Sequence, residues 1–239
     1  MNSVDNIHPA GFNQHNRDRW VADIARSLQP RIRVLDVGAG EARYRELFAH
    51  CDYRTQDFGA YRGTSQGLLK EQWHYAALDY ECDATVIPVE DESFDAILCT
   101  ELLEHVPEPI KVIKELERIL KPNGRLFLSA PLGSGLHQQP FHFYGGFTPH
   151  FYRKFLGEMG LKVVSIEPNG RFFRMLLQEL HRGVAIVRAR REYSKWSAAY
   201  WILKVASSLQ MAQYLALLDD EIQIDEFTVG YHVEAIKAR

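Results

Sequence analysis

The segment SAPLGSGLHQQPFHFYGGFTPHFY, residues 129–152, sets His137, His142, Tyr144 and His150 among glycines and aromatics. Imidazole exchanges protons near neutral pH, so His137 and His142 are the residue types for taking a proton from a hydroxyl, with Tyr144 shaping the space beside them. The plainer alternative is histidines hydrogen-bonded inside a compact loop and aromatics packed as core. His150 opens a predicted helix and reads as a capping or surface residue. No metal is required, because His137 and His142 miss the i, i+4 spacing of a helical zinc pair and spacing offers no third ligand. GSG at 133–135 lacks the flanks of a nucleophile elbow, so hydrolase chemistry is unsupported.

A second stretch, RVLDVGAGEARY at 33–44, ends a branched apolar run in Asp36 and then sets Gly38, Ala39 and Gly40 in a turn that needs unusual backbone angles. Such a bare turn lets a ligand approach the main chain, although any tight strand-to-helix turn can also use glycine. The dinucleotide pattern G-x-G-x-x-G would need glycine where Arg43 stands, and no P-loop pattern is present.

The elements that must position these residues alternate in type. Helical spacing covers 16–28, and Pro30 closes it. Strands are predicted at 32–37, 53–57, 79–85 (weakly), 94–100, 125–130, 161–167 and 227–237, with helices at 42–50, 109–120 and 149–159 and a turn at Lys121, Pro122, Asn123 and Gly124. Residues 58–75 read as loop. Strands alternating with helices imply a sheet covered on both faces, whose ligand sits at the carboxyl ends of the strands.

Composition narrows the function classes. With 46% apolar and 25% charged residues the chain is an ordinary soluble globular protein, and a formal charge of −3 provides no broad basic field for nucleic acid. Cys51, Cys82 and Cys99 are odd in number and widely spaced, which suits a reducing cytoplasm better than a disulfide framework. The polar first twenty residues lack the pattern of a secretory signal.

DVGAGEARY followed by Asp57, then CDATVIP at 82–88, ESFDAILCTELLEHV at 92–106 and ELERILKPNGRLFLSAP at 115–131, resembles the class I S-adenosylmethionine-dependent methyltransferases, particularly their small-molecule "type 11" group. The resemblance covers about residues 32–168. It implies a Rossmann-like α/β fold with a mostly parallel sheet of about seven strands, the last antiparallel, in a single domain over 1–239 with its cofactor-binding core at 31–168. It further implies that Asp36, Gly38, Ala39 and Gly40 wall the methionine part of S-adenosyl-L-methionine, that Asp57 accepts from both ribose hydroxyls, and that Asp83 and Ala84 contact the adenine. Thr100 and Glu101 match positions beside the methionine moiety and sulfonium, while Glu41 and Arg43 depart from the smaller residues usual there. His105 reads as orienting or capping a turn. The acceptor is expected to be a small molecule, with a hydroxyl oxygen as first choice and a sugar or glycolipid precursor as a guess; nitrogen or carbon acceptors, a non-catalytic cofactor binder and a nicotinamide oxidoreductase are the alternatives.

Between the last two strands lies an insertion, 169–225, mostly helical by pattern. Residues 181–196 are basic and 197–218 apolar with Lys204 inside. A spanning helix there would tear the sheet apart. The remaining roles are packing or a lid, a homodimer contact, or a peripheral membrane face through 181–218 using Arg188, Arg190, Arg191 and Lys195.

Overall fold

The computed structural model describes residues 11–63, 73–189 and 198–238. They form two compact units, one of Trp20–Glu167 with Gly230–Arg239 and one of Met1–Arg19 with Pro168–Val229. Arg190, Arg191 and Lys195 lie outside the described residues.

The first unit takes α1 (Phe12–Ser27) from Trp20 onward, then β1 (Arg33–Val37), β2 (Asp52–Asp57), β3 (Tyr80–Glu81), β4 (Phe94–Thr100), α2 (Pro109–Ile119), β5 (Leu120–Pro131), α3 (Pro149–Glu158), β6 (Leu161–Pro168, to Glu167) and β7 (Gly230–Lys237). The seven strands run in the order β3-β2-β1-β4-β5-β7-β6. β1 to β5 pair in parallel, and β7 runs antiparallel to β5 with Arg125 opposite Ile236. Strand order departs in both directions from β1, so the carboxyl ends of β1 and β4 flank a switch point, and the turns after β1, β2, β4 and β5 open on one edge.

Period-two alternation makes this sheet double-sided. Leu35, Val37, Ile97, Cys99 and Leu128 bury one face with Val112, Ile113 and Leu116 of α2. Val34, Ala96, Leu98 and Phe127 bury the other with Val21, Ile24 and Ala25 of α1. β1, β4 and the second half of β5 are therefore apolar almost throughout, which is why these runs are readable in the sequence.

Three expectations change. The predicted helix at 42–50 is only a 3-10 turn, Arg45–Phe48, because the glycine turn runs on through Ala42 at φ +51° and leaves too few residues for an α-helix. The predicted strand at 79–85 shrinks to Tyr80–Glu81, since Asp83 and Thr85 close a turn of their own. The turn at 121–124 interrupts no strand: Leu120 pairs with Phe94 and Arg125 with Ala96, so the four residues loop out of β5 with Asn123 at φ +62°.

The second unit packs α4 (Phe172–Ala189), α5 (Ala198–Ala206) and α6 (Leu209–Glu221), with Leu177, Ala212 and Leu215 at its centre. Asp219, buried on α6, accepts from the backbone N–H groups of Arg171 (2.9 Å), Phe173 (2.9 Å) and Arg174 (3.1 Å), at the start of α4 where helical donors lack partners. Asp219→Ala should cost about 2–4 kcal/mol, read by chemical denaturation, because it strands three part-buried donors and leaves Arg174 without one of its acids. A loss below about 0.5 kcal/mol would show that the cap is ornamental.

Candidate functional site

The turn after β1 brings bare backbone into close contact with its neighbours. Gly38 and Gly40 have φ +75° and +52°, a region costly for residues with a Cβ. A Cβ on Gly40 would stand 2.8 Å from Trp73 Cζ2, and one on Gly38 3.0 Å from a Leu102 methyl. The N–H groups of Gly38 and Ala39 both donate to the Gln56 carbonyl at 2.9 Å. The buried Gln56 amide also donates to the Cys82 carbonyl at 2.6 Å, tying this turn to the loop that carries Asp83 and Ala84. Nothing in the sequence singled out Gln56 or Trp73.

Asp57 ends β2 beside that turn. Its two carboxylate oxygens accept from Gly40 N–H (2.9 Å) and Gly59 N–H (3.3 Å), leaving further lone pairs for a ligand. Burial raises its pKa, the N–H groups of Gly40, Gly59 and Phe58 pull it back, and Glu81 on β3 adds to the rise. Glu81 is a second acid here that sequence reasoning passed over: a Cβ on Gly59 would meet its Oε1 at 2.6 Å. Asp83 is exposed and accepts through Oδ1 from Thr85 N–H (2.8 Å) and the Thr85 hydroxyl (2.7 Å), while Ala84 is buried beneath it.

Asp36 is 2% exposed and receives a short hydrogen bond from the Tyr53 hydroxyl. Burial drives its pKa up to about 7; the Tyr53 bond and Arg45 oppose that, and Asp57 reinforces it. The folded state thus holds this proton to about pH 7, whereas the unfolded chain releases it near the ordinary aspartate value of 3.8. Rising pH between those values costs about 1.4 kcal/mol of stability per unit. Asp36→Asn should abolish that slope, leaving the variant ahead by about 4 kcal/mol at pH 7 relative to its standing at pH 4, measured by denaturation across pH. Parallel pH curves for the two proteins would refute the assignment.

Thr100 ends β4, and Glu101 follows at φ +51°. Glu101 N–H donates to the Ser129 carbonyl (2.8 Å) and its Oε1 accepts from the Ser129 hydroxyl (2.7 Å), locking the loop to β5. Leu102, next in sequence, packs over Gly38 and so brings this loop against the glycine turn.

The loop then delivers His105 to the histidine-rich segment. The ring centroids of His105, His137 and His142 lie 4.8, 5.8 and 4.5 Å apart in turn, a three-imidazole cluster assembled from 105, 137 and 142. His105, whose side chain is 9% exposed, has Nδ1 2.5 Å from the Phe141 carbonyl. A carbonyl only accepts, so Nδ1 carries the proton and Nε2 the lone pair. Burial lowers the His105 pKa to about 4, against the Phe141 bond and together with repulsion from His137 and His142, so it stays neutral at pH 7. His137 Nδ1 lies 2.9 Å from the Gly135 carbonyl, which by the same reasoning leaves its Nε2 lone pair available. His142 Nε2 is 3.1 Å from the Ser134 hydroxyl, and its pKa is lowered by burial and by His137.

Tyr144 donates its hydroxyl to the Pro107 carbonyl at 2.9 Å, so its ring is fixed beside the loop. His150 is exposed on α3, whose cap is Thr148 rather than the histidine. The buried Glu104 carboxylate completes the surroundings: one atom each from Glu104, His105 and His137 lie within 4.8 Å of one another, a donor set that sequence spacing did not suggest. Phe58, next to Asp57, packs edge-on against Phe141 at 5.0 Å, so an aromatic wall joins the acid end to the histidines. The sequence pointed to the histidine segment and the glycine turn separately; the loop from Glu101 to His105 joins them.

Residues 35–128 match the family described as "Methyltransferase domain". A ubiquinone biosynthesis O-methyltransferase of Xanthomonas campestris pv. campestris is 37% identical over 112 residues, covering 44% of this chain and 45% of that protein. One from Xanthomonas axonopodis pv. citri is 35% identical over 161 residues, covering 54% and 66%. The chain thus spans about half the length of the first curated relatives it matches. Among solved structures, phosphoethanolamine N-methyltransferase 2 of Haemonchus contortus in complex with S-adenosyl-L-methionine aligns with a TM-score of 0.56 at 17% identity, over 94% of this chain and 53% of that one, which establishes the shared fold. Residues 35–128, which include the bare turn after β1 and the acid ending β2, are thus a methyltransferase domain of the class I S-adenosylmethionine-dependent kind.

Proposed function

We propose that this protein transfers a methyl group from S-adenosyl-L-methionine to a hydroxyl oxygen of a small, apolar, ring-bearing acceptor. The observation that carries the reading is the three-imidazole cluster beside the glycine turn, joined to Asp57 by the aromatic contact of Phe58 with Phe141. The cofactor fits the residues present: the half-buried Gly38 and Ala39 keep main chain within reach of a ligand, and the Asp57 carboxylate retains accepting capacity. Asp57 would hold the ribose hydroxyls, Asp83 and Ala84 the adenine, and Asp36, Gly38, Ala39 and Gly40 the methionine part, with Thr100 and Glu101 near the sulfonium. When bound, S-adenosylmethionine supplies an electrophilic methyl carbon.

The protein's own part is to position and to move one proton. Alignment of the acceptor at attack distance can supply roughly 7–11 kcal/mol. His137 Nε2 would take the acceptor's hydroxyl proton, the methyl passing from the sulfonium to that oxygen with S-adenosylhomocysteine as the leaving group, and His142 and Tyr144 would shape the space around it. Aromatic surface from Phe58 and Phe141 favours a planar acceptor over a sugar, and the relatives' names, which concern ubiquinone biosynthesis, lend no support to a sugar or glycolipid. Free thiols at Cys51, Cys82 and Cys99 suit the reducing cytoplasm.

Two measurements test this. S-adenosylhomocysteine should raise the melting temperature and NAD should not; the reverse would overturn the cofactor. Incubation with labelled S-adenosylmethionine and a panel of phenolic hydroxyl acceptors should yield an O-methyl ether by mass spectrometry, and N- or C-methylation alone would overturn the acceptor. A chelator belongs in the assay because of the Glu104, His105 and His137 donors. Turnover that vanishes with it and returns with a divalent cation would assign the cluster to metal binding instead of proton transfer.

A further inference from the structure

We propose that the outer face of α5 and the start of α6 docks on an anionic lipid bilayer. α5 reads AAYWILKVA, and its exposed side includes Trp201 (48% exposed), Ile202 (67%) and Val205 (63%), which fall within an arc of about 100° on the helix. Leu209 continues the apolar surface after the Ser207 and Ser208 turn. The opposite side of α5 is already used, since Leu203 lies against Gly183 of α4 and Tyr200 is buried. Isolated exposed apolar residues need no explanation, but three on one side of a helix, continued by a fourth after the turn, do.

The cations beside this face decide what covers it. Lys204 Nζ lies 4.8 Å from the Trp201 ring centroid, and Arg188 donates to the Tyr200 hydroxyl at 3.2 Å. Among the described residues neither meets a carboxylate. Acids of the same unit are engaged at the other end of α4: Arg171 pairs with Asp225 and Arg174 with Asp219 and Asp220. Residues 181–218 carry six Lys or Arg and a single acid, Glu192, in a chain whose formal charge is −3. Tryptophan at the headgroup level, branched aliphatics below it and long cationic side chains reaching back to phosphate make up the surface of an interfacial helix. Each Lys or Arg near an anionic leaflet adds to the attraction. A second copy of this chain fits worse, because the same face of the copy brings no acid to those cations: residues 196–218 contain none. No helix among the described residues is long and apolar enough to cross a membrane, so the helix lies on the surface.

Flotation of the full chain with phosphatidylcholine vesicles, alone or with about a quarter phosphatidylglycerol, tests this. Binding is expected only to the anionic vesicles, falling steeply as salt rises. Ile202→Glu with Val205→Glu should lower the bound fraction about fivefold or more at an unchanged melting temperature. Should that variant fold poorly, brominated acyl chains provide the second reading: they should quench tryptophan emission in the wild type and much less in Trp201→Phe. Absence of wild-type binding to anionic vesicles at low salt would overturn the proposal. So would a lipid-free dimer by light scattering that the Ile202 and Val205 changes dissociate, which would assign the face to a second copy.

Discussion

Asp57→Ala is expected to weaken binding of S-adenosylhomocysteine by about 100-fold or more in calorimetric titration, the largest effect of any single substitution in the site. The carboxylate has two tasks. It anchors the glycine turn through Gly40 N–H at 2.9 Å and the following loop through Gly59 N–H at 3.3 Å, and it would receive the two ribose hydroxyls on its remaining lone pairs. Hydrogen bonds to a charged acceptor contribute about 1.5–3 kcal/mol each, so losing two ligand bonds alone predicts roughly 10²–10⁴-fold. Removal also frees a turn that holds Gly40 at φ +52° against Trp73, adding disorder in the unliganded protein. Asp57→Asn separates the tasks: it keeps the shape and one accepting oxygen, but aims an NH₂ at a backbone N–H. Its affinity should fall about as far as that of the alanine variant, with less thermal destabilisation. An affinity within about threefold of wild type in Asp57→Ala would remove the ribose assignment.

What the sequence disclosed and what it withheld follow from the range of the interactions involved. β1, β4 and β5 are legible because both faces of the sheet are covered, so their runs are apolar regardless of which neighbour they pack on. The antiparallel β7 came from family resemblance, since no local pattern encodes strand direction. The missing helix after the glycine turn is a failure of periodicity: the 42–50 pattern is helical, but the left-handed backbone at Ala42 uses up the residues a helix would need. Asp83 kept its place in the motif, yet one of its oxygens is spent on Thr85, a local competition that pattern matching does not weigh. His105 is the instructive case. From sequence it only orients or caps a turn; in the fold its Nδ1 is held by Phe141, a contact across 36 residues, and its ring meets His137. Burial of Glu104 beside it, and of Gln56 beneath the turn, likewise depends on which loops meet at the sheet edge.

His137→Ala is expected to lower the rate of methyl transfer about 100-fold or more while S-adenosylhomocysteine binds within about threefold of wild type, since a positioned base contributes roughly 10²–10⁴-fold to proton removal and little to cofactor affinity. The choice among three imidazoles rests on their partners. Burial holds His105 near pKa 4, too weak a base to draw a proton from a hydroxyl with much driving force. His142 is lowered by burial and by its neighbour, and its Nε2 faces Ser134. The Ser134 hydroxyl has one proton and lies 3.2 Å from the Gly145 carbonyl; donated there, it makes His142 Nε2 the donor of the pair, in a structural bond. His137, fixed at Nδ1 by the Gly135 carbonyl, keeps Nε2 free of such a bond among the described residues. His142→Ala should therefore cost about tenfold, through the packing of the His137 ring 4.5 Å away. His137→Gln provides the decisive comparison, because glutamine can hydrogen-bond but cannot take the proton: it should be as slow as alanine. Recovery of most activity in His137→Gln would reduce the residue to a positioning role, and wild-type rates in both His137→Ala and His142→Ala would place the base, if one is used, outside this segment.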